Sequence, residues 1–147
     1  MDLQLKDKIM IVSGGAKGIG KAIAAVLSQE GAHVAIVGRN EADNLAAVAE
    51  MEALGGKATG FVAELSQPAE CKNVVAAIAA HFGRIDGLVN NAGVNDGVGL
   101  ASGNYEAFMA SLHKNLVHYY LLAHECLPYL IKSIGSIVNI SSKTAET

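Results

Sequence analysis

Residues 9–20 narrow the folds open to this chain more than any other stretch. Ile9, Met10, Ile11 and Val12 follow one another without polar alternation, the mark of a strand buried on both faces. Ser13 and a glycine-spaced turn come next, Gly14-Gly15-Ala16-Lys17-Gly18-Ile19-Gly20, after which apolar residues recur at helical spacing. A buried strand, a glycine turn and a helix in that order can cradle a phosphate. Gly14 can take a turn conformation closed to other residues, Gly18 lets the backbone approach a pyrophosphate, and Gly20 lets the helix pack close to the strand. The first amides of the helix then face the anion. An ordinary tight strand-to-helix turn can carry the same glycines; the legible strand before and helix after favour the cradle.

With 147 residues the chain has the length of one domain, taken as 1–147. It is 51% hydrophobic and carries 16 glycines, which suits a buried parallel sheet better than a disordered or fibrous chain. A net charge of -3 without long runs of either sign points away from nucleic acid and from an anionic membrane, and toward a small-molecule substrate. Cys71 and Cys126 match no metal or redox spacing and read as reduced packing thiols. His33, His81, His113, His118 and His124 show no ligand pairing, so no metal site is expected. A charged start and the lack of an apolar run of bilayer length point to a soluble cytoplasmic protein.

Along the chain, a helix over 18–29 is closed by Gly31, and a second strand covers 33–37. Gly38-Arg39-Asn40 stand at its carboxyl end. A fold that binds NAD usually offers a carboxylate near there to the adenosine ribose, whereas an arginine can hold a 2′-phosphate. Arg39, with Lys17 in the glycine loop and no acid at the strand end, favours NADP over NAD. The alternative is that Arg39 is a solvated loop residue, with Glu41 close by. A helix over 41–54, stopped by Gly55-Gly56, leads to a third strand over 58–65 that ends at Glu64-Leu65-Ser66. Glu64 fits either a place beside an adenine ring or an ordinary surface. Ser66 is expected to cap the next helix, with Pro68 in its first turn and its end at Phe82.

The fourth strand runs out at Asn90-Asn91-Ala92-Gly93, placing donors and acceptors at the carboxyl edge of the sheet, where open α/β sheets bind ligands. Those asparagines can pair with neighbouring backbone or with a cofactor ribose, or simply make a turn. A glycine-rich loop over 94–103 precedes one long helix over 104–132. Its stripe of Phe108, Leu112, Tyr119, Leu122 and Cys126 is interrupted by Asn115. A buried amide costs roughly 1 to 3 kcal/mol unless satisfied, so Asn115 either holds a backbone group or water, or that helix face is wetter than its pattern. A fifth strand over 135–142 ends in Ser141-Ser142. Five strands with helical crossovers give an α/β fold, a doubly wound Rossmann-type parallel sheet of order 3-2-1-4-5.

These residues resemble the short-chain dehydrogenases/reductases. The resemblance lies in Ser13-Gly14-Gly15-Ala16-Lys17-Gly18-Ile19-Gly20 (where the family usually begins with threonine), Asn90-Asn91-Ala92-Gly93, Asn115 placed thirteen residues before Pro128, and Ile140-Ser141-Ser142 closing a strand. It implies that residues 14–20 hold the pyrophosphate and that Asn91, Ala92 and Gly93 line the adenosine side, with Ser13 and Asn90 also among the cofactor-binding residues. Asn115 would anchor a water in a proton relay, and Ser142 would polarise the substrate carbonyl or hydroxyl. Lys17 and Arg39 resemble the NADP-preferring members, with NAD possible. Glu64, followed by Leu65, stands where an aspartate beside the adenine is usual. A homo-oligomer, dimer or tetramer, packed through the helix at 104–132 is also implied.

In this family a tyrosine with a lysine four residues later follows the serine by about a dozen positions. None of Tyr105, Tyr119, Tyr120 or Tyr129 has a lysine four residues on. The chain therefore reads as the amino-terminal part of an oxidoreductase, truncated before the later strands and inactive by itself for want of a general acid/base. Residues 91–97, 115–120 and 141–145 look similar to sugar dehydrogenases acting on L-fucose and related aldoses, and Asn95, Asp96 and Lys143 would suit a polyol. The expected activity is hydride transfer between nicotinamide and a secondary alcohol or hemiacetal carbon. The alternatives are a nucleotide-binding module without catalysis or, less suited to Gly38-Arg39, a methyltransferase.

Overall fold

The computed structural model describes residues 2–142. Five parallel strands form one sheet in the order β3-β2-β1-β4-β5. They are β1 (Ile9–Ser13), β2 (His33–Gly38), β3 (Lys57–Val62), β4 (Gly87–Asn90) and β5 (Ser136–Asn139). The crossovers are α1 (Gly18–Gln29), α2 (Glu41–Ala53), α3 (Pro68–Phe82), and a composite of α4 (Tyr105–Leu112), a π-helical turn (His113–Val117) and α5 (His118–Ser133). This is the doubly wound order read from the sequence.

β1 sits at the centre because its side chains must be covered twice. Successive strand residues face opposite sides. Ile9 and Ile11 join Ala35, Val37, Leu88 and the buried faces of α3 and α5 in one core, while Val12 joins Val34, Ile36, Ala24, Ala47 and Met51 on the α1/α2 side. Each such side chain taken out of water contributes about 1.5 to 3 kcal/mol. The start of β1 is pinned to β4 by Asp86, whose carboxylate accepts the Ile9 amide at 2.9 Å and two Arg84 donors at 2.8 and 2.6 Å. Cys71 and Cys126 are buried and free, and burial pushes their thiols up to about 11 and about 12.

Several local expectations change: β3 ends at Val62 rather than at 65 and β5 at Asn139 rather than at 142, so Glu64 and Ser142 follow their strands instead of closing them. Ser66 does not cap α3: the N-cap is Gln67 with Pro68 at the first position, and the Ser66 hydroxyl donates instead to Glu64 at 2.8 Å. The long helix is interrupted at Asn115. There the Asn115 amide donates to the Ser111 carbonyl at 3.1 Å and the His118 ring nitrogen Nε2 meets the Lys114 carbonyl at 2.8 Å, so side chains serve carbonyls in the widened turn. The turn rotates one half of the stripe away from the other. Leu122 and Cys126 are fully buried, whereas Phe108 is 55% exposed.

Candidate active site

The carboxyl ends of β1, β2, β3 and β4 open on one cleft of about 770 Å³. At its floor Gly14 has φ +66° and its amide donates to the Val37 carbonyl at 2.8 Å. The Ser13 hydroxyl, fully buried, accepts the amides of Asn91 and Ala92 at 2.9 and 3.1 Å, and the Asn91 side chain donates back to the Ser13 carbonyl at 3.1 Å. The first and fourth strand ends are thereby sewn together. A methyl at Gly20 would strike the Gly14 carbonyl and the Asn91 amide, whereas a methyl at Gly18, φ +53°, would meet nothing within 4 Å. Gly20 thus closes the bend from behind and Gly18 opens it in front.

The helix behind this bend is left electrostatically hungry. α1 follows the N-cap residue Lys17 with no side-chain cap and no acid in its first turn. α2 begins with Asn40 accepting the Asp43 amide at 3.0 Å and carries Glu41 and Asp43 in its first turn. Unsatisfied amides at an uncapped N-terminus suit an external anion, and Gly18 leaves them room. The residues present therefore fit a pyrophosphate.

At the β2–β3 side of the cleft the two cations meet acids. Lys17 lies 2.6 Å from Asp43, and Arg39 lies 3.9 Å from Glu64. The sequence placed no acid at the end of β2, and none stands there; the carboxylates arrive from the first turn of α2 and from beyond β3. The Ser66 hydroxyl and amide, together with Arg39, hold the Glu64 carboxyl below its ordinary value against a modest burial. Beneath them the buried Asn44 donates to the carbonyls of Gly38 and Phe61, at 3.0 and 3.2 Å, and clips the ends of β2 and β3 together. A methyl on Gly38 would collide with the Asn44 side-chain oxygen, which explains a glycine there.

At the other end, the Asn115 side-chain oxygen accepts the Val94 amide at 2.7 Å, so Asn115 holds a backbone group, the first of the alternatives read from the sequence. Ser111 donates to Asp96 at 3.0 Å, and Lys114 lies 3.8 Å from the same carboxylate, fastening the loop after β4 to the π-helical turn. His118, 1% exposed, lines the cleft; burial pushes its imidazole down, partly offset by the Lys114 carbonyl and Glu64. The Tyr119 hydroxyl donates to the Ile140 carbonyl at 3.0 Å, and burial pushes its pKa up.

Of the residues singled out in the sequence, Gly14, Lys17, Gly18, Ile19, Arg39, Glu64, Leu65, Asn91, Ala92 and Gly93 line the cleft together. Ser13 and Gly20 frame it from behind. Asn90 is fully buried and ties Tyr119 and Asn139, so it pairs with protein rather than facing the cleft. Asn115 reaches the cleft wall through Val94, and Ser142 lies exposed just after β5. Lys143 lies outside the described residues. Sequence reasoning missed Asp43, Asn44 and His118. The N-cap spacing from Asn40 to Asp43 was a visible signal for the first, but nothing marked Asn44 or His118 beyond a polar residue within a helix. Among the described residues, no cluster of metal-ligating side chains is present and no helix is long and apolar enough to cross a membrane.

Known proteins share this arrangement. A family model described as short chain dehydrogenase matches residues 8–147. The chain is 38% identical over 142 residues to the 3-oxoacyl-acyl-carrier-protein reductase FabG of Thermotoga maritima, a match covering 95% of this chain and 57% of that protein. It therefore spans little more than half the length of that curated relative. A metagenomic short-chain oxidoreductase in complex with NADP superposes with a TM-score of 0.90 at 33% identity, over 97% of this chain and 66% of the other. The NADH-dependent reductase A1-R′ complexed with NAD superposes at 0.91 and 27% identity, over 99% and 64%. The glycine bend, the sewn strand ends and the sheet order thus coincide with a match over nearly all of its length, and the chain belongs to the short chain dehydrogenase family.

Proposed function

We propose that the protein of which this chain forms part is an NAD(P)-dependent oxidoreductase that moves hydride between nicotinamide and a secondary alcohol or hemiacetal carbon. The observation that carries the reading is the uncapped start of α1 behind the open Gly18, facing a cleft lined by Asn91, Ala92 and Gly93. Two solved relatives hold NADP and NAD. The cofactor, when bound, supplies the hydride acceptor or donor. The chain's own part is to bind and orient: the amides at the start of α1 meet the pyrophosphate, Glu64 and Leu65 border the adenine, and Lys17 and Arg39 stand beside the adenosine ribose. Asn115 positions the loop at Val94 and anchors a relay water, and Ser142 polarises the substrate oxygen.

For the substrate we propose an aldose such as L-fucose, supported by the similarity of residues 91–97, 115–120 and 141–145 to sugar dehydrogenases. Asp96 serves this through its ties to Ser111 and Lys114, as a support of the loop. A dimer or tetramer packed through α4 and α5 accounts for exposed Leu116, Tyr120, Leu127 and Ile131 at helical spacing. A reducing cytoplasmic setting suits the two free, buried thiols.

The test is titration of the full-length protein with NADH and NADPH, read by nicotinamide fluorescence, followed by a panel of aldoses and simple secondary alcohols supplied with NAD+ or NADP+ as the hydride acceptor. Saturable binding and aldose-dependent reduction of the cofactor are expected. No binding at millimolar cofactor would remove the basis, and binding without turnover of any alcohol would leave a nucleotide-binding module instead.

A further inference from the structure

We propose that Asp43, seconded by Glu64, sets the choice between NAD and NADP in this protein, by occupying the cationic groups that a 2′-phosphate needs. The inference rests on the dinucleotide reading of the cleft and deepens it.

Lys17 and Arg39 both line the cleft and look, as sequence, like a phosphate clamp. In the fold neither stands alone. The Asp43 carboxylate lies 2.6 Å from the Lys17 ammonium, a charge-assisted contact, and Glu64 lies within 3.9 Å of Arg39. Asp43 also occupies the first turn of α2, where the helix end favours a negative charge, and its own amide is held by the Asn40 side chain. It therefore fills with one carboxylate both features that would attract a phosphate at this corner: the ammonium and the helix terminus. Asp43 is only partly exposed while Lys17 is largely so, which makes the acid the fixed member of the pair and the lysine the member it recruits.

A 2′-phosphate arriving here must displace Asp43 from Lys17 and accept its charge as a neighbour. A 2′-hydroxyl need do neither. The acid consequently discriminates against NADP by repulsion more than it improves NAD by attraction. Glu64 acts in the same sense on Arg39 but more weakly, because the separation is longer and its carboxylate is shared with Ser66.

The experiment measures dissociation constants of NADH and NADPH for the full-length protein and its Asp43→Asn, Glu64→Gln, Lys17→Ala and Asp43→Asn/Lys17→Ala variants, at low and moderate salt. Asp43→Asn should tighten NADPH by about three- to tenfold while NADH moves less than about twofold, and the gain should shrink as salt rises. Glu64→Gln should give a smaller shift the same way. Lys17→Ala should weaken NADPH more in the Asp43→Asn background than in the parent, because only there is the ammonium released; a general loosening of α2 would not produce that non-additivity. An unchanged NADPH/NADH ratio in Asp43→Asn, or additive effects of Lys17 and Asp43, overturns the proposal while leaving the oxidoreductase reading intact. Failure of the parent protein to bind either dinucleotide would instead remove that reading and this inference with it.

Discussion

The two flanks of the sheet are built to different standards. On the β1–β2–β3 side, every residue of β1 is buried, β2 is closed on both faces, and Asn44 and Ser13 tie strand ends together through backbone groups. On the β5 side, every residue of the edge strand is exposed, with Val138 at 50%, and α4 has no buried residue. The first flank holds the groups that would fix a dinucleotide, and the second holds Asn115 and Ser142, which would face the reacting carbon. Among the described residues the first flank is closed by packing, whereas on the second the buried face of α5 is joined by polar ties, Asn115 to Val94 and Asp96 to Ser111 and Lys114.

The widest gap between the flanks should appear on removing apolar side chains. Ile11→Ala, at a fully buried site facing α3 and α5, should cost about 2 to 5 kcal/mol in urea unfolding, whereas Val138→Ala should cost less than about 1. Equal costs would break the contrast. Next comes Ser13→Ala, which leaves the Asn91 and Ala92 amides without their shared acceptor and should cost about 1 to 3 kcal/mol, with weaker NADH binding because the cleft floor loosens.

The contrast is sharpened by pH. Burial alone would raise the Asp86 carboxyl, but the Arg84 guanidinium, the Ile9 amide and Lys8 together hold it below its ordinary value. A carboxyl lowered by folding contributes fully above its unfolded pKa, near pH 4, and that contribution is lost as pH falls through the lower folded value. Thermal melts should therefore fall on acidification below about pH 4 with a steeper slope in the parent than in Asp86→Asn. An identical slope would show that β1 is not anchored through this charge. The smallest effect belongs to the thinner flank: Tyr119→Phe, losing the bond to the Ile140 carbonyl, should cost about 0.5 to 1.5 kcal/mol and leave NADH affinity unaltered.

The strand order and the glycine bend were legible because they depend on local pattern: runs buried on both faces, glycines at fixed offsets and helices between. The α1 bounds at Gly18–Gln29 follow from Gly18 and Gly31 alone. What the sequence hid is what depends on long-range approach. That Asp43 rather than Glu41 reaches Lys17, or that Asn44 spans two carbonyls, is decided by how α2 lies across β2 and β3. The single helix expected over 104–132 failed for a different reason. Periodicity assumes a constant turn, and the side chains of Asn115 and His118 sustain a wider one.

That wider turn acts as a one-residue spacer. Each residue of a regular helix advances by roughly 100° around the axis, so the extra member at His113–Val117 lets Leu122, Cys126 and Leu130 dock inward while Asn115 still reaches Val94. Deleting a single position there would force a trade between seating the following helix and latching the loop, a conflict that no side-chain substitution elsewhere could resolve.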